Sequence, residues 1–128
     1  MQNIELLALV GCGGFIGAAF RYLISINASK LFGANFPYGT LIANIIGALI
    51  IGFVMKLSLD TALISPNTKL FLTTGMMGGL TTFSTFSYET VSMLISGEYI
   101  LGASNLLLNV ILSLVGVIIG MFFAKLLV

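Results

Sequence analysis

The chain contains no histidine, one cysteine and two prolines, and only 7% of its 128 residues carry a charge. Each scarcity excludes something. Without histidine, the commonest metal ligand and general base is missing. Cys12 alone cannot close an internal disulfide and says little about redox compartment. A soluble domain holds about 25% charged residues, so this chain could not clothe a water-facing surface. Its net charge of +1 forms no basic patch, which removes nucleic acid and other polyanions as partners.

What is abundant is apolar: 59% of residues are hydrophobic and the mean hydropathy is +1.17. A bilayer core needs about 20 apolar residues per helix. Four such spans can be drawn, at about 4–26, 38–57, 69–95 and 100–127. Between them lie a loop with Lys30, Gly33 and Pro37, a loop with Asp60, Pro66 and Asn67, and a tight turn at Ser96-Gly97-Glu98. No stretch outside the spans could bury a soluble core. The expectation is a single four-helix transmembrane subunit over 1–128. The start lacks Lys or Arg before its apolar run and carries Glu5, which argues against a cleaved signal. Leu9-Val10-Gly11-Cys12 has the form of a lipobox, but the basic segment that should precede it is missing.

An even number of spans puts both termini on one side, here side A. Lys56, Lys69 and Lys125 lie toward side A, Arg21 and Lys30 toward side B. Three against two is a feeble bias by the positive-inside rule. It fits one favoured orientation or an antiparallel pairing of both orientations. Gly13 with Gly17, and Gly116 with Gly120, form GxxxG pairs that let helices approach closely in lipid. They serve either packing within one chain or an oligomer.

Polar residues inside the spans are costly and need partners or a cavity. Arg21, Asn44, Glu89 and Asn109 all fall in the side B half of their spans. Glu89 lies about 10 Å from its span centre at ~1.5 Å per residue. Arg21 sits at similar depth, and the two are predicted to pair; the alternative is that Arg21 snorkels alone.

The third span holds the densest signal, from Gly75 through Glu89. Gly75, Gly78 and Gly79 weaken a helix by up to about 1 kcal/mol each. The Thr and Ser residues after them can satisfy freed backbone groups. A helix break near the bilayer centre is predicted. Beyond it, Thr81, Thr85, Glu89, Ser92 and Ser96 recur at helical spacing as a polar stripe, with Phe83 and Phe86 on an adjacent face. No carboxylate pair, metal-ligand cluster or nucleophile with a base is present, so catalysis is not expected. Neutral donors with the positive edges of aromatic rings suit a small anion. The same residue types also serve ordinary helix packing.

Gly13-Gly14-Phe15-Ile16-Gly17-Ala18 with Arg21-Tyr22, Gly39-Thr40-Leu41-Ile42-Ala43-Asn44 with Gly47, and Gly75 through Phe86 together resemble the Fluc, or CrcB, family of fluoride channels. The resemblance covers nearly the whole chain, and GGLTTFSTF is its most specific string. It implies an all-α membrane protein with a broken third helix, acting as an antiparallel, dual-topology homodimer with two pores in the bacterial plasma (inner) membrane. It implies passive export of fluoride that lowers cytoplasmic fluoride and confers fluoride resistance. Phe83 and Phe86 match the phenylalanines whose ring edges line the path. Asn44 matches a pore-lining asparagine, and Arg21 an arginine near the vestibule. Ser84 and Thr85 belong to the same motif, and a hydroxyl track is implied for Thr85 with Ser113. Asn109 aligns with a position the family often fills with tyrosine; it keeps a hydrogen-bonding group but no ring. Gly78 and Thr81 match positions whose backbone carbonyls hold a structural sodium ion at the dimer interface.

Two other readings remain. A small dual-topology multidrug transporter would need an acid well inside the first span, where Glu5 stands only at its edge. A non-transporting membrane assembly protein would leave the third-span motif without a task.

Overall fold

A computed structural model describes residues 2–128, and every regular element in them is helical. Helix α1 covers Gln2–Phe32 and α2 covers Tyr38–Asp60. Helix α3, residues 66–80, begins as α-helix over Pro66–Leu70, widens to a π-helix over Phe71–Met77 and returns to α over Gly78–Leu80. Helix α4 covers Phe83–Ile95 and α5 covers Tyr99–Lys125. Three of these, α1, α2 and α5, are long and apolar enough to cross a membrane. At ~1.5 Å per residue α1 is about 46 Å long, well beyond the ~30 Å hydrocarbon core.

Local chemistry sets the boundaries. Helix α1 runs past the expected end, through Lys30, whose charge favours a C-terminal turn. It stops at Gly33, where φ is +84°. Helix α2 closes with Lys56 and Asp60 paired one turn apart at 2.8 Å. Ser65 caps α3 by accepting the Thr68 N–H at 3.1 Å, and Pro66 follows at the first helical position. Between α4 and α5, Glu98 N–H bonds Met93 O and Gly97 N–H bonds Leu94 O. That is a Schellman closure, and it requires the φ of +84° that Gly97 adopts.

Glycines decide which helices touch. A Cβ on Gly17 would stand 2.0 Å from Met76 O, and one on Gly79 would stand 2.4 Å from Gly14 O. These residues seat α1 backbone to backbone on α3. A Cβ on Gly120 would stand 2.0 Å from Leu49 O, and one on Gly52 would stand 2.4 Å from Val117 O. These join α2 to α5. Both GxxxG pairs therefore pack within the chain, and neither is left over for an oligomer.

The centre is small: Ala43, Met77 and Leu80, ringed by Ile24, Ile50, Ile51 and Met76. Polarity is turned inside out. Large apolar side chains such as Leu7, Phe15 and Ile118 face outward, whereas Thr40, Thr82, Thr90, Asn105 and Asn109 are buried. Lipid demands this order, because polar groups there must find partners within the protein.

Candidate functional site at the helix break

The stretch predicted as the third span is not one helix. After Leu80 the backbone extends through Thr81 (φ −83°, ψ 156°) and Thr82 (φ −152°, ψ 120°), and α4 starts at Phe83. The break lies just beyond the glycines held responsible for it. Gly75, Gly78 and Gly79 remain helical, and Gly75 and Gly79 instead provide the close approach of α1.

Side chains take over the hydrogen bonds that the break interrupts. The Thr82 N–H bonds Asn44 Oδ1 at 2.8 Å, and Asn44 Nδ2 returns a bond to Thr82 O at 3.2 Å. The asparagine thus stands in for a peptide group. Thr82 caps α4 by accepting the Thr85 N–H at 3.2 Å. In an unbroken helix the amides of Thr82 and Thr85 would bond the carbonyls of Gly78 and Thr81. Both amides are diverted, so those two carbonyls lose their helical partners. Both residues line one open groove of about 460 Å³. A Cβ on Gly78 would meet nothing closer than Thr73 O at 3.9 Å.

The groove also holds Asn44, Phe83, Phe86, Asn109 and Ser113. Phe83 and Phe86 meet edge to face, with centroids 5.5 Å apart. They differ sharply in burial: Phe86 is 5% exposed and Phe83 79%. Asn44 Nδ2 donates to Asn109 Oδ1 at 2.9 Å. Asn109 Nδ2 donates to both the backbone O and Oδ1 of Asn105, each at 2.9 Å.

Toward side B a second cavity, of about 410 Å³, is lined by Ser25, Thr40, Tyr88, Glu89 and Ser92 among others. Glu89 accepts a 2.7 Å bond from Thr40 Oγ1, and its Oε2 is buried without a partner.

A family model described as CrcB-like protein, Camphor Resistance (CrcB), matches residues 8–121. The chain belongs to the CrcB family. It is 64% identical to the fluoride-specific ion channel FluC of Clostridium novyi, over 98% of each chain. It is 65% identical to the protein of that name from Clostridium perfringens, over 99% of each chain. At 43% identity it matches another from Ruminiclostridium cellulolyticum, over 98% of this chain and 96% of the relative.

Against the CrcB expectations, the structure gathers Asn44, Phe83, Phe86, Asn109, Ser113, Gly78 and Thr81 around one groove. Ser84 and Thr85 fall outside it. Both are exposed on the first turn of α4, with their hydroxyls turned to Thr82 at 3.4 and 3.0 Å. Thr85 bonds Thr82 and makes no direct hydrogen bond to Ser113 among the described residues. The Arg21–Glu89 pair is not formed either. Glu89 turns to Thr40 on α2, and its cavity meets α1 at Ser25 and Ser29, beyond Arg21 along the helix. Among the described residues the ion pair is Lys56–Asp60.

Thr40, Thr90 and Asn105 were missed. The available signal was the spacing of Asn105 and Asn109, two amides one turn apart on an otherwise apolar helix.

Proposed function

We propose that this CrcB protein is a fluoride-selective channel that lets fluoride leave the cell passively. It is a channel and not an enzyme. The observation that carries the reading is near full-length identity of 64–65% with proteins named fluoride-specific ion channels. The groove supports it, lined as it is by Phe83, Phe86 and the hydroxyl of Ser113. Neutral donors and ring edges replace hydration water without holding the ion by full charge. Fluoride enters the cell as HF from acidic surroundings, dissociates inside and leaves as the anion, driven by a membrane potential negative inside.

The functional unit is an antiparallel homodimer of dual topology in the bacterial plasma (inner) membrane. Each subunit contributes four spans, the third built from α3 and α4 in series. The exposure of Phe83 supports this, because a path needs a wall that one subunit does not supply. Phe83, Phe86 and Ser113 line the path, with Asn44 and Asn109 behind them. Arg21 stands near the vestibule, and the Ser84 and Thr85 hydroxyls brace Thr82 at the α4 terminus beside the path.

The carbonyls of Gly78 and Thr81 fit a sodium ion. They are hard oxygen donors without helical partners, beside a glycine with open space. Carbonyls from both subunits would hold the ion on the two-fold axis. When bound, sodium supplies positive potential beside the anion path and ties the subunits together; it is not transported.

Fluoride efflux from liposomes, followed by an electrode with chloride as control, tests the channel reading. Rapid fluoride-selective efflux, lost in Phe86→Ile, is the expected result. A well-folded protein without efflux refutes it. A multidrug transporter would need a titrating acid within α1, and Glu5 instead lies exposed in its first turn. An assembly protein would give no efflux.

A further inference from the structure

The hydrogen bonds around the break form a single directed chain. The Thr82 N–H donates to Asn44 Oδ1, Asn44 Nδ2 to Asn109 Oδ1, and Asn109 Nδ2 to Asn105 Oδ1. Asn105 Nδ2 then donates to Thr90 Oγ1 at 2.9 Å, and Thr90 Oγ1 to Phe86 O at 2.8 Å. The chain leaves the helix break at Thr82 and returns to the same segment at Phe86. It passes through α2 and α5 on the way and brackets the Phe83–Phe86 pair. Every donor points in one sense, so each bond polarises the next.

Two consequences follow for the groove. Both N–H groups of Asn44 are engaged, one by Asn109 Oδ1 and one by Thr82 O. Both N–H groups of Asn109 are engaged by Asn105. These amides line the groove but hold their donors away from it. On the channel reading this leaves the Phe83 and Phe86 rings and the Ser113 hydroxyl to meet the ion, contacts weak enough for passage. An amide is nearly symmetric in shape, so only its partners decide which end faces which way. Residue 105 makes that decision for Asn109 through two acceptors, its carbonyl O and its side-chain Oδ1, and Asn105 is completely enclosed, at 0% exposure. If Asn109 turned over, its NH₂ would face the Asn44 NH₂, donor against donor, and the clamp on Thr82 would open.

We infer that Asn105, which does not line the groove, is a positioning residue that fixes the Asn109 and Asn44 amides and thereby sets fluoride passage and selectivity. The inference rests on the channel reading for its functional half. Asn105→Leu keeps the size and removes the two side-chain bonds, from Asn109 Nδ2 and to Thr90 Oγ1, leaving only the residue-105 carbonyl to hold the Asn109 amide. Fluoride efflux should fall about tenfold or more, the loss of one hydrogen-bonded link in a buried network. The ratio of fluoride to chloride efflux should fall with it, because the freed Asn109 donor binds either anion. Protein labelled with ¹⁵N on asparagine side chains, in detergent micelles, should show the Asn44 and Asn109 amide resonances shifted. Thr90→Val should produce smaller changes in the same direction, and the double variant should be no worse than Asn105→Leu alone, because both act on one chain.

A folded Asn105→Leu protein with wild-type flux and ratio overturns the inference. So does reduced flux with unmoved Asn44 and Asn109 resonances, which would mark general loosening. If Asn105→Leu does not fold, Thr90→Val decides: shifted Asn109 and Asn44 amides support the chain, and unshifted ones overturn it. If the wild-type protein passes no fluoride, the channel reading fails by itself, and the resonances still test whether Asn105 positions the two amides.

Discussion

Thr82 shows how much one side chain does at a break. Its backbone N–H and C=O both depend on Asn44, and its hydroxyl starts α4. Asn44→Leu would leave two buried backbone groups unpaired, at about 1–3 kcal/mol each. We expect a loss of that order in denaturant titrations of the purified protein, with flux abolished. The sequence exposed part of this arrangement. Asn44 and Asn109 are legible as polar residues inside apolar spans, and Phe83 and Phe86 as aromatics three apart beside the polar stripe. Thr90 and Asn105 are not. Their contact joins α4 to α5 across a turn, and its register depends on the Gly97 closure. Arg21 and Glu89 were paired on depth alone, but depth does not fix azimuth. Glu89 faces α2, where Thr40 meets it.

At the level of helices, the glycines separate into two kinds that the sequence does not distinguish. Gly79 is filled against α1, with a Cβ position 2.4 Å from Gly14 O, whereas Gly78 is open. Gly79→Ala should therefore force α1 and α3 apart and lower stability by about 1–3 kcal/mol, the range for overpacking. Gly78→Ala should leave the subunit fold intact, since 3.9 Å is ordinary contact. If Gly78 faces a second subunit and its sodium, the same variant should dissociate the dimer. Circular dichroism and multi-angle light scattering on the two variants separate these effects. The break itself was legible because glycine followed by hydroxyl residues favours interruption in lipid. Its position was not, because it depends on where Asn44 reaches from α2.

The whole molecule turns many large apolar side chains outward and encloses Asn105 and Asn109, as expected for a chain this poor in charge. The charges barely choose a direction, and five basic residues divide three to two between the sides. A reporter fused to the C-terminus should read out on both sides of the membrane at comparable levels. Adding two lysines to the loop at 61–65 should push it to one side, by the weight of charge near span ends. Signal from one side alone in the unmodified chain would remove dual topology. That the protein lives in a membrane could be read from composition. That its small-residue motifs serve packing within the chain could not, since lipid-facing and helix-facing glycines look alike until the helices are placed.

The interrupted third span also constrains how the protein enters its membrane. Residues 66–80 and 83–95 are about 22 and 20 Å long at ~1.5 Å per residue, and neither alone crosses a ~30 Å hydrocarbon core. In a four-span topology the two must therefore enter as a unit, with the Thr82 peptide groups between them held by Asn44. Asn44 precedes them in the chain and is already in place to receive Thr82 as it arrives. Asn105 and Asn109 are synthesised later. The clamp can form during synthesis, whereas the rest of the amide chain must wait for the last helix, so a nascent chain ending before α5 would be membrane-bound yet unable to settle its two phenylalanines.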